Sequence, residues 1–461
     1  MEETPSVQFA NNVVNTEYED LGERYVARAK ERLADAVGVM SAGSRGVGVE
    51  KAVEMVRKLG GHADASVYNY GGAVPVEYAA FLNSLQIRSF DSEAVDAEGL
   101  LARWPAHITS TTIPTALALA EKYKLSGKQF LSALAVGEDM AARLTEASRF
   151  DPLGCFDGNG TNNTMGATAI AAKAMGLSAE ETHDAFGIAL HLCGGTMKST
   201  SGSWAFKLDN SFAAKSGIEC ARLAKTGFHG LVEPLTDKKC FFDMFAPAAD
   251  PTDLTKDLGK IYYCDAVIKP WACCRGNHVV LDAVRPIIEE HGTFKAADIK
   301  HVTFGGTKSL TNGDFPFGTT CEVDGLFNRR FTLSTYLLTG QVVAASYDPA
   351  WMASPELGEL LDKLEFSEWN PLAGAKGAGG MAAFVEIELE SGGTLQSDVK
   401  GVILGDVDKK PMTKEQFEAK WNANAAFGGK VPVEKLQEAK DMAWNIENVS
   451  DMSEFIKLLV P

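Results

Sequence analysis

The chain has 461 residues, enough for two or three domains of about 100–200 residues each and for one large buried core. Hydrophobic residues at 45% and charged residues at 23% exclude a disordered chain, and no apolar run reaches the roughly 18–20 residues of a membrane span. A net charge of −17, spread along the chain, argues against nucleic acid or an anionic membrane as a partner.

A small acid can bind such a surface only in a pocket with its own cations. The start, Met1-Glu2-Glu3-Thr4-Pro5, carries neither a basic nor an apolar segment, so no signal peptide is expected. The eight cysteines are Cys155, Cys193, Cys220, Cys240, Cys264, Cys273, Cys274 and Cys321. Without a secretory leader they read as reduced thiols in a cytoplasmic protein. No C-x-x-C occurs, and Cys273-Cys274 lacks the spacing of a zinc or iron–sulfur site.

Helical signals open the chain. Leu21, Tyr25, Ala29, Leu33 and Val37 form one apolar stripe. The Gly/Asn/Tyr-rich stretch 60–75 reads as loop. Ile113, Ala116, Leu117 and Ala120 make a second stripe. Ser126-Gly127-Lys128-Gln129 is a capping box, followed by Phe130, Leu134, Ala141 and Leu144 on one face. Small residues crowd 161–230. A helix is predicted from Gly166 to Met175, stopped by Gly176, and Ser178-Ala179-Glu180-Glu181 caps the next. Another runs through Ala213, Ala214, Gly217, Ile218 and Ala221 toward Gly227. Such small faces imply close helix–helix approach in a buried bundle.

The character changes after about Lys260. A helix is predicted over 278–290 and a strand over 300–304. Val385, Ile387 and Leu389 alternate with glutamates, and Ser391-Gly392-Gly393-Thr394 turns the chain into Leu395, Ser397 and Val399. Thr413-Lys414-Glu415-Gln416 then caps a returning helix. The expected architecture is therefore mainly α. The middle third holds a small α+β unit, and the chain comes back to helix at its end.

No P-loop, H-E-x-x-H, G-x-S-x-G or dinucleotide fingerprint is present. Polar residues in apolar surroundings are more informative. Lys207, in Trp204-Ala205-Phe206-Lys207-Leu208, is expensive to bury without a partner. It reads as a carboxylate binder or an acid/base of lowered pKa, or as a lysine that reaches the surface. His107, in Pro105-Ala106-His107-Ile108, stands at a helix entrance as a proton shuttle or a structural imidazole. Lys269-Pro270-Trp271-Ala272-Cys273-Cys274-Arg275-Gly276-Asn277-His278 gathers cations, thiols and an imidazole where a helix begins. Arg275 suits a carboxylate there. A thiol nucleophile at Cys274 is the rival reading.

At these residues the sequence resembles the MmgE/PrpD family, which includes 2-methylcitrate dehydratase, cis-aconitate decarboxylase and iminodisuccinate epimerase. Ala79-Ala80-Phe81-Leu82-Asn83 with Ser89-Phe90-Asp91 is similar to its "AAf.Ng…lDfdD" segment, and His107 matches the His that follows. Gly137-Glu138 with Arg143-Leu144, and Gly176-Leu177-Ser178, match its helical motifs. So do Lys207 to Gly230 and Lys269 to Asp282. The likeness runs from about residue 20 to 459.

The resemblance implies a large all-helical domain made from both chain ends (1–265 and 405–461) with a smaller α+β domain inserted at 266–404, a homodimer, no metal, no organic cofactor, and a site between the two domains. It implies removal of a proton next to a carboxylate of a small di- or tricarboxylic acid. Dehydration of the 2-methylcitrate type comes first, epimerisation second and decarboxylation third. His107 and Lys207 match catalytic positions, with Asp157 as a third. Arg275, His278, Asp91, Arg88 and Lys269 would hold the substrate. Two departures mark this chain: Asp157 stands where a His is common, and the acidic pair is reduced to Asp91 and Glu93, separated by Ser92, with Arg88 where a His is frequent. The stretch 329–340 is shortened.

Overall fold

The computed structural model describes residues 3–100, 102–149, 155–197, 203–306, 318, 321–367 and 381–461. It is mainly helical, with a smaller α+β part. The caps work as the sequence predicts. Helix Gly127–Ser148 starts where the Ser126 hydroxyl accepts from Gln129 N–H and the Gln129 side chain accepts from Ser126 N–H. Ser178 with Glu181 does the same for Ala179–Ala189, and Thr413 with Gln416 for Lys414–Gly428.

The helix predicted from Gly166 begins eight residues earlier, spanning Gly158–Met175, with Asp157 as its N-cap. Gly158-Asn159-Gly160-Thr161-Asn162-Asn163 are poor helix formers. All but Gly158 are buried, so tertiary packing overrides propensity. The small residues serve close crossings. A Cβ on Gly137 would meet the Gly166 carbonyl oxygen at 2.5 Å, and one on Gly217 would meet the Ala167 Cβ at 2.5 Å. No side chain fits at either place.

Two apolar cores result. The first takes side chains from residues 9 to 268 and again from 417 to 459. The second takes them from 271 to 404, with Ala42, Phe90 and Phe206 reaching in from the other side. Its sheet runs in the order Leu364–Ser367, Ile299–Gly306, Met381–Leu389, Thr394–Gly401. The first pair is parallel and the others antiparallel, with Val302 opposite Ile387 and Phe304 opposite Val385. The predicted helix here is longer, Arg275–His291, and packs on this sheet.

Short strands were not predicted from the sequence. Ala65–Ser66 pairs with Ala73–Val74 inside the presumed loop. Val95–Glu98 lies between Arg103–Trp104 and Asp265–Val267, and Val267 bridges to Asp406. Segments of two to four residues are too short for an alternation pattern. Among the described residues, no helix is long and apolar enough to cross a membrane, and all eight cysteines are free.

Candidate active site

The site assembles on the turn after helix Val76–Arg88. Asp91 is fully buried with a φ of +49°, a left-handed conformation that an aspartate tolerates. Lys269 holds it there. Its Nζ donates to the Asp91 carbonyl at 2.7 Å and to Asp91 Oδ1 at 2.5 Å. Arg88 Nη1 lies 2.5 Å from Asp91 Oδ1 and 3.2 Å from Glu93 Oε1. Burial, the largest single influence, pushes both carboxyls up, but Arg88 and Lys269 together outweigh it at Asp91, as Arg88 and His107 together do at Glu93. Both are held below the usual carboxylate range, Asp91 well below.

His107 enters this cluster from the start of helix Thr109–Tyr123. Asparagines fix its backbone. Its N–H donates to Asn159 Oδ1 at 3.0 Å. Its carbonyl accepts from Asn163 Nδ2 at 2.9 Å and Asn210 Nδ2 at 2.8 Å. The ring Nδ1 is 2.8 Å from Glu93 Oε1. An ionised carboxylate only accepts, so Nδ1 carries the hydrogen. Nε2 makes no hydrogen bond among the described residues. The ring is 16% exposed, against 0–2% for the Arg88, Asp91, Glu93 and Lys269 side chains, so it is the open end of a closed cluster. Burial, and then Arg88, lower its pKa from the ordinary 6.5. The imidazole is neutral at pH 7 and offers a lone pair at Nε2.

Lys207 lies at the head of helix Leu208–Lys225, 2% exposed. Its Nζ donates to the Val47 carbonyl at 2.9 Å, Ser89 Oγ at 3.2 Å and Glu322 Oε1 at 3.2 Å. It does not reach the surface. Asn210, one turn further on the same helix, holds His107, so the two predicted catalytic residues share one scaffold.

The remaining candidates divide. Asp157 is occupied as an N-cap, its Oδ1 accepting from Asn159 N–H at 2.9 Å. Its neighbour Asn159 is what touches His107. Arg275 turns to Asp96, with Nε 3.1 Å from Oδ2, and to the Leu404 carbonyl. His278 is fully buried, with Nε2 3.2 Å from the Cys273 carbonyl and the ring edge-on to Trp271. Burial and Arg275 hold its pKa well below 6.5. The hydrogen bonds of Arg275 and His278 thus go to a neighbouring group, not to the His107 cluster. Burial pushes the Cys274 thiol up to about 11, which removes the thiolate that the nucleophile reading requires.

Sequence reasoning missed Glu322, Asn163 and Asn210, and left Glu93 outside the site. Asparagines in small-residue helices carry no motif, and Glu322 is far away in sequence. Asp91, Glu93 and His107 offer three ligand atoms within 4.8 Å of one another. Arg88 and Lys269 already bond Asp91 Oδ1, and Arg88 also lies on Glu93 Oε1, so cationic side chains neutralise the set. The arrangement suits proton transfer better than a divalent ion.

Comparison with known proteins agrees along the whole chain. The MmgE/PrpD N-terminal domain matches residues 7–253, and the MmgE/PrpD C-terminal domain matches 271–447. A cis-aconitate decarboxylase-like protein of Aspergillus oryzae, oryM, is 26% identical over 98% of this chain and 97% of its own. The cis-aconitate decarboxylase of Homo sapiens is 24% identical over 98% and 93%. That of Aspergillus terreus is 23% identical over 96% and 94%. The chain belongs to the MmgE/PrpD family of enzymes.

Proposed function

We propose that this enzyme is a lyase acting on a small tricarboxylic acid, and that it begins by removing a proton next to a carboxylate. One observation carries the reading: neutral His107 gives its Nδ1–H to Glu93 and leaves Nε2 unbonded. Such an imidazole is a general base held in one tautomer. As Nε2 takes the proton, the ring becomes an imidazolium beside two ionised carboxylates, Glu93 and Asp91. Negative charge grows on the substrate carboxylate, and nearby cations stabilise it in a dry site. In elimination the C–O bond then breaks, and hydroxide leaves as water with a proton from an acid, for which Lys207 is the candidate.

Decarboxylation of the cis-aconitate type is the second reading, favoured by the names of all three relatives. There the C–C bond to one carboxylate breaks first, CO2 leaves, and the carbanion takes a proton afterwards. A homodimer, a cytoplasmic location and turnover without a cofactor complete the proposal.

The test is incubation in deuterated buffer with methylcitrate, citrate, cis-aconitate and iminodisuccinate, followed by proton NMR and CO2 detection. Vinyl signals without CO2 establish a dehydratase. CO2 with a deuterated product establishes a decarboxylase. Exchange of a Cα proton without a new skeleton points to an epimerase. Silence across the panel, or turnover undiminished in His107→Asn, overturns the reading. Light scattering and elemental analysis of the active protein test the dimer and the missing cofactor.

A further inference from the structure

Lys207 and Glu322 meet across the seam between the two cores. Lys207 heads helix Leu208–Lys225, whereas Glu322 precedes the short helix Val323–Leu326 in the second core. Their side chains are 2% and 7% exposed. An ammonium has three N–H donors, and three acceptors meet them: the Val47 carbonyl, the Ser89 hydroxyl and Glu322 Oε1. The Ser89 hydroxyl spends its own hydrogen on the Leu85 carbonyl at 2.7 Å, so toward Lys207 it accepts.

All three acceptors favour the ammonium, because a neutral amine has only two N–H donors, and the carboxylate favours it most because it alone carries a full negative charge. Glu322 is itself fixed, because the same Oε1 accepts from Val47 N–H at 2.7 Å. Burial, the largest influence, and Arg88, from the end of helix Val76–Arg88, bring the Lys207 pKa below its ordinary 10.5, and Glu322 works against them in favour of the charged lysine.

We propose that Glu322 is a positioning residue of this site: it binds Lys207 as an ammonium, so that when a leaving oxygen displaces the Ser89 hydroxyl from one of the three N–H groups the lysine serves as proton donor while His107 serves as base. The proposal rests on the lyase reading above. It assigns the acid and the base of one site to two groups with opposite surroundings.

The test is the pH profile of kcat/KM in Glu322→Gln and Glu322→Asp on the substrate found active. Without the carboxylate, Lys207 loses its proton at lower pH. If the ammonium is the working form, the alkaline limb moves toward acid by one pH unit or more in Glu322→Gln and returns in Glu322→Asp. A Glu322→Gln enzyme with reduced kcat and an unmoved alkaline limb overturns the proposal, since a merely structural glutamate has that signature. A separate readout needs no turnover. Melting temperatures of Glu322→Gln, Lys207→Met and the double variant form a cycle. Clear non-additivity supports the pairing, and additive shifts overturn it. If wild-type protein is silent on every acid while the cycle is non-additive, the lyase reading has failed rather than the pairing.

Discussion

Two ionic clusters, both built on arginine–carboxylate pairs, behave differently in this molecule. One is the dry cluster of Arg88, Asp91, Glu93, His107 and Lys269. The other is the wetter network in which Arg24, Arg28 and Arg103 bind Glu98, Asp406 and Asp408. Both tie the 88–107 region to distant segments of chain. In the second, Arg24 is 53% exposed and Asp408 40% exposed, so water and salt screen the charges. In the first, Asp91, Glu93 and Lys269 are at most 1% exposed, and every charge depends on a protein partner. The wet network fastens; the dry one sets proton affinities. Burial, and the imidazole that the dry cluster alone holds, set the two apart.

The sharpest way to break this comparison is at the base. Glu93→Gln replaces the accept-only carboxylate that fixes the His107 tautomer with an amide that can turn its NH2 toward Nδ1, and kcat is expected to fall about 10²–10⁴-fold with little change in KM. Because His107 titrates below 6.5, the acid limb of wild-type kcat/KM lies below that pH, with activity lost as Nε2 is protonated. Steady-state kinetics over pH checks both.

Next comes the cost of an orphaned charge. Lys269→Met leaves Asp91 with a single cation and its carbonyl without that donor, and is expected to destabilise by about 3–5 kcal/mol in urea unfolding.

A smaller effect comes from Asp265, next to the His107 loop. Burial pushes its carboxyl up to about 8, with Oδ2 accepting from Thr109 N–H at 2.7 Å and Oδ1 unpaired. A raised pKa favours the folded state at low pH. That contribution fades as pH rises from the unfolded value near 4 through about 8. Asp265→Asn is therefore expected to melt above wild type by a margin that is small at pH 5 and wide at pH 9. Coincident melting at both pH values would remove Asp265 from the dry group. The smallest effect belongs to the wet network. Arg24→Met is expected to cost less than about 1 kcal/mol, and the difference shrinks in 1 M salt.

Much of the fold was legible because it is written locally. The capping boxes at Ser126, Ser178 and Thr413 and the alternation through Val385, Ile387 and Leu389 each need only a few neighbouring residues. The start of helix Gly158–Met175 was not legible, since its polar, glycine-rich first turns are helical only where the surrounding bundle buries them. The site followed the same division. His107 and Lys207 stood out as polar groups in apolar context. Arg275 and His278 stood out equally, yet they bond Asp96 and Cys273. Nothing in their local sequence shows which carboxylate Arg275 will meet.

By itself, then, the sequence determined the class of the fold, its helix boundaries where caps mark them, the family, and the residue types that carry proton chemistry. Tertiary structure alone decided their roles. It placed Glu93 on His107 and Glu322 on Lys207, and it assigned Asp157 to a helix cap. The reason is physical: proton affinity depends on burial and on charges a few ångströms away, and here two of those charges, Lys269 at Asp91 and Glu322 at Lys207, come from over a hundred residues away.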